Sequence, residues 1–216
     1  MPTPYAVSSD LVSAWPAKSL AVANYLDGAL AAKSALAGAT YTGTHNFTGA
    51  TVTGVGGGLK YVGQVAAAAS SSVIFNNVFT SANSYYRLVF SGTTSADIYL
   101  LIRMRAAGSD NTSANYLYGY VQGVSAGASS AAATGQTSAN LTTVNTEGGH
   151  CSVDIYSPAD AVATRFQSIG GKNTTTPFWV SYYGVHNVAS AFDGMTIYTS
   201  SGTVTGTFRL YAYQQA

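Results

Sequence analysis

Near one end of the chain, Thr207-Phe208-Arg209-Leu210-Tyr211-Ala212-Tyr213 alternates strictly, with Phe208, Leu210 and Ala212 on one side of an extended backbone and Arg209, Tyr211 and Tyr213 on the other. A period of two fits a strand with one buried face and fits no helix. Related runs recur between turn-rich stretches throughout residues 60–216. The clearest are Tyr85–Phe90, Asp97–Arg105, Tyr116–Gln122, His150–Tyr156, Ala163–Ile169, Phe178–Tyr183, Met195–Thr199 and Thr205–Tyr213. Tyr61–Val65, Ser72–Phe75 and Asn140–Val144 are weaker. So many short strands with little helix predict a mostly β domain, a β-sandwich of jelly-roll type, over residues 60–216. Gly123–Gly135, GVSAGASSAAATG, has no large side chain to alternate and reads as the longest loop.

The lead-in to that domain has two parts. Pro2 and Pro4 make the first residues an extended arm, and Ala17–Ala37 is rich in helix formers behind Pro16. Ala23, Leu26, Leu30 and Ala37 form a narrow apolar stripe that one short helix cannot bury alone. Residues 1–37 are therefore expected to be an arm and a short α-helix that meets other chains. Residues 38–59 then repeat Thr-Gly units around isolated apolar residues, Tyr41, Phe47, Val52 and Val55. One chain cannot make a core from so few. Three symmetry copies can, by turning each apolar residue toward a shared axis, which predicts a short intertwined β stalk in a homotrimer. The alternative is a flexible Thr/Gly linker.

Composition bears on partners. Charged residues are 8% of the chain, against roughly a quarter in an ordinary domain. The exterior must therefore be Ser, Thr, Asn, Gly, Ala and Tyr, a surface with little repulsion between copies. The nine basic residues are scattered, with Arg103 and Arg105 as one close pair read as solvated or at an interface. This excludes a multi-phosphate footprint, so no nucleic-acid partner is expected. No apolar run reaches the roughly 18 residues of a membrane span, so no membrane insertion is expected. The start, Met-Pro-Thr-Pro-Tyr, lacks a basic-then-apolar leader, which points to synthesis in a cytoplasm. Cys151 is the single cysteine, allowing no intrachain disulfide and reading best as a small buried hydrophobe.

Catalytic patterns are weak. Glycan cleavage needs two carboxylates across a cleft. Asp97, Asp110 and Asp193 instead fall at strand ends or turns, and Asp154 shares a strand face with Ser152 and Tyr156. No Gly-x-Ser-x-Gly elbow is present, and adjacent His150 and Cys151 point to opposite faces of a strand. Gly54–Gly58 lacks the Lys and Ser/Thr of a phosphate loop. His45 could place three imidazoles on a three-fold axis, but one residue per chain is thin evidence for a metal. His186 reads as a loop residue after Tyr182-Tyr183-Gly184. No catalytic residue, cofactor or metal is expected.

Four segments resemble the fibre-type structural proteins of tailed bacteriophages. Ala14-Trp15-Pro16-Ala17 and the helix after it look like the particle-proximal end of such proteins, and YTGTHNFTGATVTG looks like their threaded stalks. IRMRAAGSDNTSANYLYGY is similar to a strand, a turn and a Tyr-rich strand of their knobs. FDGMTIYTSSGTVTGTFRLYAYQ is similar to a recurring terminal β-hairpin. The resemblance implies a homotrimeric virion protein that binds other tail or capsid proteins through Trp15, Leu20, Leu26 and Leu30. Tyr41, Phe47 and Val52 would hold the stalk in register. Tyr116, Tyr118, Tyr120, Tyr182 and Tyr183 are the candidate exposed rings to stack on sugars of a host surface polysaccharide, the alternative for each being packing in the core or between copies. Alternatives are a capsid-decorating or tail-adaptor protein without receptor binding, or, last, a glycan-degrading enzyme like the tailspikes.

Overall fold

The computed structural model describes residues 58–124, 127–175 and 178–214. The arm, helix and stalk expectations, with Trp15, Leu20, Leu26, Leu30, Tyr41, His45, Phe47 and Val52, lie outside the described residues. Within them there is no helix, and every named element is a strand: β1 Leu59–Ser70, β2 Ser72–Phe75, β3 Tyr85–Thr94, β4 Ile98–Ala106, β5 Ser109–Asp110, β6 Tyr116–Val124, β7 Gly127–Gln136, β8 Ala139–Val144, β9 Gly149–Tyr156, β10 Thr164–Lys172, β11 Trp179–His186, β12 Gly194–Thr199 and β13 Val204–Tyr213.

The strands form two sheets with every pairing antiparallel. The larger runs β1-β13-β3-β9-β10-β11-β6-β7, and the smaller runs β2-β12-β4-β5 with β8 also paired to β4. Alternation explains how they meet. In β13, Phe208, Leu210 and Ala212 are buried while Arg209 is exposed, as the period of two requires. Ile98, Leu100, Ile102 and Met104 of β4 are likewise buried. One continuous core joins Leu88, Phe90, Val153, Ile155 and Phe208 of the larger sheet to Phe75, Leu100, Ile102 and Ile197 of the smaller. Sheet packed on sheet in this way is a β-sandwich. Strand β8 carries four residues in a row, Leu141–Val144, that are buried, because β4 pairs with it while the larger sheet lies against it; Ser168 donates to the Leu141 carbonyl at 2.6 Å.

Four expectations need correction. The described residues of Gly123–Gly135 are strand and not loop, since they end β6 and form most of β7, which pairs along β6 and closes one end of the larger sheet. Its residues are small and almost wholly exposed, so backbone hydrogen bonds and not core burial hold it. His186 ends β11 instead of occupying a loop, opposite Tyr116. The segment after Asp193 is not a hairpin: β12 pairs with β2 and β4 of the smaller sheet, and β13 with β1 and β3 of the larger. The four residues between them cross from one sheet to the other, helped by Gly202 at φ 62°. Finally, Arg105 is neither solvated nor at an interface. It is buried, bonds to Asp110 and the Gly108 carbonyl, and donates to Asn76 at 3.0 Å and Thr196 at 2.9 Å. This network pins the β4–β5 turn, where Ala107 and Gly108 both have positive φ.

Candidate functional site

Two surfaces collect the polar and aromatic side chains that the core does not use. The first is the outer face of the larger sheet. One cross-strand row reads Tyr61, Tyr211, Arg87, Asp154, Gln167, Tyr183, and the next reads Arg209, Val89, Ser152, Ile169, Ser181, Val121. Strand pleating alone dictates that these side chains share a face. At its centre Arg87 grips Asp154 with two parallel bonds, Nε to Oδ1 and Nη2 to Oδ2, both 2.7 Å. The hydrogen bond to Asp154 is the main reason the Arg87 guanidinium holds its proton more tightly than usual. Tyr213 donates to Asp154 Oδ1 at 3.3 Å, and its ring lies 5.5 Å from the Arg87 guanidinium. Tyr85 and Tyr156 stand edge to face at 5.4 Å and complete a cleft of about 290 Å³. Asp154 does share its face with Ser152 and Tyr156, but its carboxylate is already engaged by Arg87.

The second surface is a groove where the larger sheet overhangs the smaller. Strand β7 is exposed on both faces, so no strand of the smaller sheet lies beneath it. At the rim of the overhang Gln122, Lys172 and Phe178 from the larger sheet face Asp97, Tyr99 and Thr143 from the smaller across about 350 Å³. Lys172 is fixed there by an ion pair with Asp97 and by the Phe178 ring, whose centroid lies 4.8 Å from Nζ. Beside it Tyr118, Tyr120 and Tyr182 pack ring against ring, at 6.0 Å for Tyr118–Tyr182 and 5.2 Å for Tyr120–Tyr182. Burial raises the pKa of both the Tyr118 and Tyr182 phenols, and a hydrogen bond from Asn140 opposes it at each. Tyr99 acts electrostatically on both phenols, and is itself a residue 45% exposed.

The five tyrosines expected to be exposed therefore separate. Tyr116 and Tyr182 are buried, which removes them as exposed sugar contacts and bears out the alternative of core packing, because they lie on the inner face of the larger sheet. Tyr116 Oη accepts from the Met104 amide at 2.9 Å and donates to the Asn111 carbonyl at 3.2 Å, and burial pushes its pKa up to about 12. Tyr118 and Tyr120 are half-buried beside the groove. Tyr183 is exposed, on the opposite, outer face. Sequence reasoning missed Tyr99, Gln122, Lys172 and Phe178 altogether, and took Asp97 for a turn former. Parity places Gln122 with Tyr118 and Tyr120, but nothing local shows that Lys172 and Asp97, so far apart in the chain, meet.

His186 is a third feature, wholly within the core. Its ring stands edge-on to Tyr116 at 5.0 Å and to Phe192 at 4.9 Å. Nδ1 lies 3.3 Å from the Val188 carbonyl, so the neutral ring carries its proton there and Nε2 is left buried without a partner. Desolvation lowers its pKa. Among the described residues no three His, Cys, Asp or Glu side chains stand together as a metal site.

The fold and these surfaces define a class, an all-antiparallel β-sandwich with an aromatic face and an aromatic groove. No family model matches the chain and no curated protein matches it in sequence.

Proposed function

We propose that this chain is a structural subunit of a virus particle, a homotrimeric bacteriophage fibre whose N-terminal part attaches to the tail or capsid and whose sandwich is a knob for contact with the host surface, a glycan above all. The observation that carries the reading is the strand order. Within the larger sheet β1-β13-β3-β9 lies opposite β2-β12-β4-β8 of the smaller. That interleaving matches the order of a jelly roll, in which the chain passes back and forth between the two sheets, here at every step except β4 to β8 within the smaller one, an architecture shared by viral capsid and lectin domains. Strands β6, β7, β10 and β11 are then insertions that extend the larger sheet and create the overhang, and the short β5 is an addition beside β4 in the smaller one.

Two further features support it. The outer face leaves Tyr61, Tyr85, Ile169, Trp179 and Tyr183 exposed around an internally neutralised Arg87–Asp154 pair, a surface suited to burial against another copy. The chain is also nearly uncharged, and many fibres on one particle turn weak glycan contacts into strong attachment. The test is immunogold labelling of purified particles of the virus that encodes the chain. Gold at the tail or on the capsid surface is expected; particles free of the chain would overturn the reading.

A further inference from the structure

We propose that the groove beneath the overhang is a binding site for a neutral saccharide, with Tyr99 as the ring on which the sugar stacks; this rests on the reading of the sandwich as a glycan-contacting knob. A pyranose presents an apolar face of C–H groups and a rim of hydroxyls that both donate and accept. A site for it needs an exposed aromatic ring flanked by fixed donors and acceptors. The groove supplies these together. Tyr99 is close to half exposed although its neighbours on β4, Ile98 and Leu100, are buried. Around it stand a carboxylate from Asp97, an amide from Gln122, a hydroxyl from Thr143 and an ammonium from Lys172.

The polar groups are positioned in advance, which limits the ordering cost of binding. Lys172 has a side chain only 14% exposed and is held by Asp97 and Phe178. Its ammonium carries three donors and Asp97 occupies one of them. Asp97 bonds Lys172 through Oδ2, and its side chain is 56% exposed, so Oδ1 is the oxygen that a ligand in the groove would meet. That carboxylate oxygen suits a pair of sugar hydroxyls. The volume, about 350 Å³, lies at the lower end of the roughly 300–1,000 Å³ typical of ligand sites, which fits one or two sugar units.

Charge decides the class. One anion and one cation line the groove, and they are paired with each other. A uronate or sialate carboxylate would have to displace Asp97 from Lys172 and then lie beside it, like charge against like. A neutral hexose or N-acetylhexosamine leaves the pair intact and bonds to its free positions.

The experiment is saturation-transfer NMR and titration of the full chain with a panel of oligosaccharides, some built of neutral hexoses and N-acetylhexosamines and some carrying uronic or sialic acid. Neutral members are expected to bind with dissociation constants on the order of 1 mM, and acidic ones at least tenfold more weakly. Tyr99→Ala and Gln122→Ala should each lose tenfold or more, while Tyr183→Ala on the opposite face should bind as the parent does. Tyr99 is exposed, so its variant keeps the core; Gln122→Ala covers the case in which it does not fold. No binding by any member, preference for acidic members, or loss with Tyr183→Ala but not Tyr99→Ala would overturn the proposal. The mass of the assembly is measured on the same samples, so a trimer that binds no sugar fails this inference alone, and a monomer fails the fibre reading.

Discussion

Arg87 and Asp154 face one another across β3 and β9 in a two-bonded ion pair, at 2.7 Å for each bond, in the middle of the outer face of the larger sheet. Side-chain exposures of 35% and 23% leave solvent to screen part of the attraction. Asp154→Asn is expected to cost about 0.5–1.5 kcal/mol, read as a lower urea midpoint with an unchanged slope. Arg87→Lys keeps the charge but loses the fork, and should recover only part of the difference from Arg87→Ala. The parent chain, incubated with polysaccharide, should release no reducing ends.

His186 makes stability depend on pH. Its folded pKa is lowered by burial, so below the ordinary value of about 6.5 the unfolded chain takes up a proton that the folded chain resists. The stability is complete above that value and is lost as pH falls from it toward the folded pKa. Thermal unfolding of the parent should therefore drop between pH 7.5 and pH 5.0. His186→Phe, between the same two rings, should show a smaller drop; an equal drop would place the proton uptake elsewhere.

Cys151 is buried at 2% exposure, and desolvation pushes its thiol pKa up to about 12. Thiolate is the reactive form, so the folded chain should resist a thiol reagent at pH 8 and react stoichiometrically once unfolded in urea. Rapid labelling without denaturant would contradict the packing of β9 against the core.

Phe208 sits at the centre of the core with its ring centroid 4.5 Å from that of Phe90. Phe208→Ala should cost about 3–5 kcal/mol by denaturant unfolding. Tyr211→Ala, its neighbour on the outer face, should cost under about 1 kcal/mol. The contrast checks the inward and outward assignment of β13.

Much of the sandwich was legible because its strands alternate large side chains. The β13 run assigned its own faces, and Ser72–Phe75 was bounded correctly. Strand β7 was not legible. In GASSAAATGQ neither face is larger than the other, and its order comes from the β6 backbone. Gly184 suggested a turn before His186, yet it lies within β11, where an added Cβ would come within 3.2 Å of the Ala139 side chain. The resemblance of the terminal segment to a β-hairpin misled, because only sheet membership reveals that the chain crosses between β12 and β13. The groove was half legible: parity groups Tyr118 with Tyr120, but whether that face points inward depends on what the smaller sheet covers. Tyr99 and Lys172 come from distant strands, so their meeting is a property of the two-sheet packing.

Self-association is the property on which a fibre depends most, and native mass spectrometry of the purified full chain tests it most directly. The expected result is one dominant species at three times the 22.2 kDa chain mass, stable to dilution. A single species at the mass of one chain, at every concentration measured, would contradict it.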